Sequence, residues 1–253
     1  MMNLAHVAGA HRWDVAQAAE RRYWEQAREN DVELLRILHE KAAAMHWAVE
    51  QVPASVALPG PWVEIGIGPL GIGCIHLAAA EERELIGIDP LRPMELSSGR
   101  LSVAVQSLIA GCRTKAYHHV VGRGEQLELA DEVASLVACY NVLDHCDDAA
   151  QVVREAARIL RTGAYFILGC DVYSFAGRVK YRARATLAKA AGVTLDSIHD
   201  LAHPHQFVAA DLERIVAHAG LEIVAINNRR AETFKRFWSH AHRVLLVARK
   251  QRR

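Results

Sequence analysis

Val63-Glu64-Ile65-Gly66-Ile67-Gly68-Pro69-Leu70-Gly71 is an apolar run that breaks into closely spaced glycines, and a helical pattern, Ile72–Ala80, follows at once. The expected structure is a strand, a tight turn and a helix. Gly66 and Gly68 let the chain turn sharply and bring backbone amides close to a ligand that a Cβ would hold off. Pro69 and Gly71 complete the loop. Alone, such a loop serves several nucleotide-binding folds. Two acids sharpen the reading. Glu64 stands in the strand end before the glycines, where a carboxylate can help hold a ligand's amino group through water. Asp89 closes the next strand, placed to accept hydrogen bonds from two ribose hydroxyls.

Outward from this loop, short apolar runs alternate with helical patterns, as in a parallel sheet with crossover helices. The pattern predicts strands at Trp62–Ile67, Glu84–Ile88, Ala116–Val121, Val133–Tyr140 and Ala164–Cys170. Between the last two, Ala149–Arg161 reads as a helix opened by Asp147 or Asp148 and closed before Gly163. Ala209–Ala219 is a further helix, stopping at Gly220. Leu221–Ile226 and Arg243–Ala248 leave no room for a useful helix between them, so they are predicted to pair as an antiparallel hairpin with a long connection. The expectation is an α/β fold: a doubly wound, Rossmann-like seven-stranded sheet, mostly parallel, with an antiparallel last strand.

Ahead of the sheet, Trp13–Glu29 and the stretch after Asn30 read as two helices. Asn30 with Glu33 resembles a capping box, and Val32, Leu35, Leu38, Ala42, Met45 and Val49 recur at helical spacing. Pro53, Pro59 and Pro61 then form a linker. Residues 1–60 are expected to be a helical lid or extension carrying Trp13, Tyr23 and Trp24, and 61–253 the ligand-binding domain. Within that domain an inserted helical segment, 172–207, is basic at first and is expected over the strand ends, where ligands sit. The apolar face of the N-terminal helices would serve a homodimer interface as readily as a lid.

Composition narrows the partners. The chain has 253 residues, 51% apolar and 23% charged, enough for one sizeable core. A formal charge of +1 gives no broad positive field, so no nucleic-acid partner is expected. No apolar run has the length of a membrane span and the N-terminus lacks a signal-peptide pattern, which together predict a cytoplasmic protein without a membrane partner. The five cysteines are scattered and read as reduced, structural residues.

From Glu64 to Gly71 the chain resembles motif I of class I S-adenosylmethionine-dependent methyltransferases, in the branch of the ubiquinone- and menaquinone-biosynthesis enzymes. The similarity continues through Gly122-Arg123-Gly124-Glu125-Gln126-Leu127, then Val133–His145 and Ala149–Gly163, and spans Trp62 to Cys170 in order and spacing. A sheet closing in an antiparallel hairpin is the architecture of that class. The resemblance implies S-adenosyl-L-methionine as cofactor, with S-adenosyl-L-homocysteine as product, and a small-molecule methyl acceptor. It implies that Gly124 and Glu125 flank the adenine and that Asn141 lies beside the methionine part. The chain departs at Arg123, where many relatives carry an acid that accepts the adenine amino group. Arginine cannot accept, so Glu125, a backbone carbonyl or apolar contacts would have to replace it.

Histidine is the second signal, with fourteen in the chain. His145 follows the fourth strand at what the family makes the rim of the cofactor pocket. His203 and His205, in His-Pro-His-Gln-Phe, enter the helix at Ala209 on a stretch stiffened by Pro204. All three are candidate catalytic residues, with His205 the candidate general base. The structural alternatives are a rim residue and a helix-entry turn. A metal site from these histidines with Asp144 would be a weak pattern, and no metal is expected. A sulfonium methyl is already activated, so the protein must chiefly position the acceptor, and a hydroxyl acceptor gains from a histidine base. O-methylation is therefore expected. C- or N-methylation, a nicotinamide-dependent oxidoreductase and a non-catalytic cofactor-binding protein are the alternatives.

Overall fold

A computed structural model describes residues 4–52, 58–79, 82–95, 101–113, 117–190, 205–228 and 242–251. Two helices come first, α1 (Leu4–Ala27) and α2 (Asp31–Glu50). Then follow β1 (Trp62–Ile65), α3 (Cys74–Ala78), β2 (Leu85–Asp89), α4 (Val103–Arg113), β3 (Tyr117–Val121) and β4 (Ala134–Tyr140). The chain continues through α5 (Ala149–Ile159), β5 (Leu160–Val172), α6 (Phe175–Ala190), α7 (Ala209–His218), β6 (Leu221–Asn228) and β7 (His242–Lys250).

All seven predicted strands join one sheet in the order β3-β2-β1-β4-β5-β7-β6. β1 pairs in parallel with both β2 and β4, and β7 runs antiparallel between β5 and β6. The fold is the expected doubly wound α/β sheet. The strand order reverses between β1 and β4, and such a switch point opens a crevice at the carboxyl ends of the strands.

Alternation along the strands sets the two faces. On β4, Val137 and Cys139 pack with α5 and α7 through Val152, Val153, Ala156, Leu212 and Val216. Leu136, Ala138 and Tyr140 face the other way, onto Ala44, Met45 and Ala48 of α2 and Cys74 and Ile75 near α3. The second N-terminal helix is thus a layer of the sheet's own core. A third cluster joins Trp24 and Ala27 of α1 and Leu34 and Leu38 of α2 to Leu70, Ile72, Leu91 and Ile109.

Boundaries move where local chemistry decides them. β1 ends at Ile65 because Gly66 takes φ +73°. α3 is shorter than its pattern, starting only after Gly73. The Asp148 side chain caps α5 by accepting from the Gln151 amide at 2.9 Å. That helix passes directly into β5 at Leu160, which pairs with Ala134, so the strand begins before the predicted Ala164. Asn30 caps α2 through the Val32 and Glu33 amides, but Glu33 does not close the box. It instead accepts from Tyr23 at 2.6 Å and pairs with Arg36, which holds its carboxyl down at about 2. None of the five cysteines forms a disulfide, and all are buried.

Candidate functional site

The glycine loop lies where β1 meets its neighbours. The Gly66 amide donates to the Ile88 carbonyl at 2.7 Å, and a Cβ there would collide with Val142. Gly68, at φ +84°, donates its amide to Asp89 Oδ2 at 2.8 Å, and the Leu91 amide donates to Asp89 Oδ1 at 2.8 Å. Asp89 is therefore fixed at the end of β2, 6% exposed, with its carboxylate on the wall of a cleft. Burial pushes its pKa up to about 6, against the pull of the Leu91 and Gly68 amides.

The cleft spans the carboxyl ends of β1, β2 and β4. Gly66, Gly68, Asp89, Gly124, Glu125, Asn141 and His145 all line it. The opposite wall is α1 and α2, which supply Trp13, Glu20, Trp24, Glu40 and Lys41 among others.

Three of the expected cofactor contacts sit elsewhere. Pro69 and Gly71 shape the loop without lining the cleft: the Pro69 carbonyl accepts from Met94, and Gly71 bonds back to Gly68. Glu64 is fully buried beneath the loop, outside the cleft lining. Its Oε2 accepts from the Ile75 amide at 3.0 Å, and its Oε1 faces Lys41 Nζ at 3.9 Å. Burial raises its pKa, and Lys41 opposes the rise. The pleat turns Glu64 toward α2 and α3, so its expected hold on a ligand amino group would have to run through an intermediary such as water. The side chain that does reach the cleft is Lys41. Its ammonium donates to the Ile67 and Ile72 carbonyls, each at 3.1 Å, and so grips both ends of the loop.

At the other end of the cleft, Glu125 Oε1 accepts from the Asp147 amide at 2.8 Å. Arg123 approaches Glu125 at 3.5 Å and Asp147 at 3.1 Å, with its guanidinium 4.3 Å from the Trp13 ring centroid. Arg123 here joins α1 to the loop before α5. Asn141, at φ +60°, donates its amide to Gly169 and accepts from Arg243 through Oδ1 at 2.9 Å.

The histidines separate. His145 is buried in the cleft wall, with Glu20 at 3.7 Å and Asp144 at 3.8 Å from its ring nitrogens. His205 is not among the cleft-lining residues. Its Nε2 donates to the Cys146 carbonyl at 2.8 Å, and its ring stacks on Phe207. A ring held in this way braces the entry to α7, and it stands outside the lining of the cleft. His203 lies outside the described residues.

Sequence reasoning missed Arg243, on β7. Its Nε and Nη2 fork onto Asp171 at 2.8 and 2.9 Å. Nη1 bonds Tyr140 Oη at 2.7 Å and Glu40 at 3.3 Å, and Nη2 also reaches Asn141. Every N–H of the guanidinium has an acceptor. This group separates the first cleft from a second, lined by His39, Ala43, Trp47, Asn227 and Leu245, and Arg36, Glu40, Tyr140 and Arg243 line both. Nothing in the sequence around Arg243 marks it. Lys41 did carry a signal, since it falls on the buried face of α2 between Leu38 and Met45. Among the described residues no group of three His, Cys, Asp or Glu is arranged to hold a metal, and no helix is long and apolar enough to cross a membrane.

Residues 63–168 match the family model described as a methyltransferase domain. The matched run extends from β1 into β5. Three solved structures share the fold. One, from Bacillus halodurans, is a methyltransferase by assignment, 16% identical, with a TM-score of 0.57 over 85% of this chain and 100% of that one. The cyclase SpnF is 15% identical, with a TM-score of 0.54 over 83% of this chain and 80% of that one. The third is geranyl diphosphate C-methyltransferase from Streptomyces coelicolor, solved with Mg2+, geranyl diphosphate and S-adenosyl-L-homocysteine. It is 13% identical, with a TM-score of 0.53 over 88% of this chain and 82% of that one. At these identities the likeness is one of fold. No curated protein matches the chain.

Proposed function

We propose that the chain transfers the methyl group of S-adenosyl-L-methionine to the hydroxyl of a small molecule. The observation that carries this reading is the buried Asp89 carboxylate, fixed by the Gly68 and Leu91 amides at a switch-point cleft. Each of its oxygens keeps a lone pair for a ribose hydroxyl. In this reading Gly124 and Glu125 flank the adenine, and Asn141 lies toward the methionine part. The cofactor supplies an activated methyl group on sulfur. The chain's own residues then have to orient the acceptor and exclude water.

The second cleft is the acceptor's place in this reading. It meets the first at Tyr140 and Arg243 and offers Trp47, Ala43 and Leu245 as an apolar wall. His145 takes the proton of a hydroxyl that reaches from the second cleft into the first, since it is the candidate histidine that lines the cofactor cleft, with Glu20 and Asp144 beside its ring. His145→Ala should lower kcat by on the order of 10²–10⁴ with cofactor affinity nearly unchanged. His205→Ala should act on stability and leave kcat close to the parent's. Steady-state kinetics on both variants checks the assignment, and the reverse ranking would return the base to His205.

The fold also carries a cyclase, SpnF, so methyl transfer has to be tested as activity. S-adenosylmethionine and S-adenosylhomocysteine should each raise the melting temperature, by a stabilisation of about 2.7 kcal/mol at one hundred times Kd, while NADH should not. Labelled S-adenosylmethionine with a metabolite extract should yield S-adenosylhomocysteine and a labelled small molecule. A shift with NADH alone, or cofactor binding without turnover on any acceptor, would overturn the proposal.

A further inference from the structure

α6 stands apart from the rest of the fold. None of its residues belongs to the described core, and it makes no extended packing contact with another described element. Arg178, at its start, pairs with Asp211 of α7 at 2.6 Å, and the neighbouring Tyr173 amide donates to Phe207. Those bonds tether one end of the helix.

The surface it presents is unusual for a helix left in water. Phe175, Val179, Ala183 and Leu187 recur every fourth residue, which places them on one ridge of the helix. The ridge is exposed along its length, with Phe175 71%, Val179 51% and Leu187 70% accessible. Lys180 and Arg182, both exposed, fall on opposite sides of it. The helix sequence holds five basic residues, Arg178, Lys180, Arg182, Arg184 and Lys189, and no acidic one. The chain as a whole is nearly neutral at +1, so this charge is a local concentration.

We propose that α6 docks the protein on an anionic lipid surface, its apolar ridge entering the acyl boundary and Lys180 and Arg182 meeting the headgroups. An exposed apolar row flanked by basic residues is the pattern of an interfacial helix. A nucleic acid would satisfy the charges and leave Phe175, Val179 and Leu187 in water. A purely apolar protein surface would satisfy the ridge and bury the charges. A bilayer carrying acidic lipid satisfies both. α6 also leaves the carboxyl end of β5, the same end of the sheet at which the cleft opens. Docking there holds the cleft end of the molecule toward the lipid, within reach of an amphiphilic small molecule. The inference does not depend on methyl transfer.

The test is flotation of the full chain with vesicles of phosphatidylcholine alone and of phosphatidylcholine mixed with phosphatidylglycerol. The parent should float with the mixed vesicles and stay behind with the neutral ones, and added salt should release it. Lys180→Gln combined with Arg182→Gln should weaken partitioning by roughly thirtyfold. Phe175→Ser combined with Leu187→Ser should weaken it at unchanged charge. All four side chains are exposed, so melting temperatures equal to the parent's show that the variants remain folded. Absence of flotation with the mixed vesicles, equal flotation with both kinds, or flotation unaltered in either folded variant would overturn the proposal.

Discussion

Below about pH 6 the dissociation constant for S-adenosylhomocysteine should rise close to tenfold for each unit of acidification. Asp89 has a pKa raised to about 6 by burial, and only its ionised form can accept from two hydroxyls through both oxygens. Above that pH the constant should level off. The signs for binding and for folding are opposite. A carboxyl whose folded pKa exceeds its unfolded value near 3.8 contributes stability below the unfolded value and loses it as pH rises through about 6. Across the same window the unliganded protein should lose the part of its stability that comes from this group while gaining affinity. Asp89→Asn should bind at least tenfold more weakly, since charged hydrogen bonds contribute about 1.5–3 kcal/mol each, and should lose the slope. His145→Asn should keep the slope, which assigns it to Asp89. Calorimetric titration across about pH 5–8 reads all three proteins. A flat profile in the parent would remove Asp89 from the ribose.

Lys41→Met should destabilise the fold by about 3–5 kcal/mol, the cost of leaving one member of a buried charge pair alone. That is a large share of the total for an ordinary domain. Lys41 and Glu64 side chains are 7% and 0% exposed, and without the ammonium Glu64 keeps the Ile75 amide and faces no cation. The Ile67 and Ile72 carbonyls lose a donor at the same time. Glu64→Gln in the Lys41→Met background should recover part of the loss, because the buried charge is gone. The pH dependence follows from the upward shift of Glu64. A raised carboxyl contributes stability at pH below its unfolded value and loses it as pH rises through the folded one, so the defect should shrink on acidification. Urea unfolding at two pH values checks both statements. A Lys41→Met protein as stable as the parent would show that the pair is not what holds the loop.

The sheet was legible because its signals are local. Seven apolar runs separated by turns and helical patterns specify seven strands, and the lack of room in the sequence for a useful helix between the last two runs specifies the hairpin. Gly66, Gly68 and Asp89 were legible for the same reason, as they lie at the ends of two neighbouring strands. The burial of Glu64 was hidden by one step of the pleat. Val63 and Ile65 face the α5 side, so Glu64 must point to the α2 side, under the loop. Arg243 was hidden because only the insertion of β7 beside β5 brings it to Tyr140 and Asp171, and only the packing of α2 brings it to Glu40. His205 looked free to act because its ring partner, the Cys146 carbonyl, comes from the far side of α5 in sequence.

α1 lays Trp13 on Arg123 and Trp24 against Gly68, one indole at each end of the same cleft. A molecule bound between the helix and the strand ends is enclosed along its length. We propose that α1 lifts to exchange the bound molecule, and lifting breaks the Trp13–Arg123 stack and the Glu20–His145 contact together. Turnover then has a ceiling independent of the chemistry, set by how often the helix opens, a motion of the microsecond-to-millisecond class. Weakening the latch at Trp13 should speed the escape of the spent cofactor more than it slows the capture of a fresh one, so a damaged lid can give a faster catalyst when release limits the cycle.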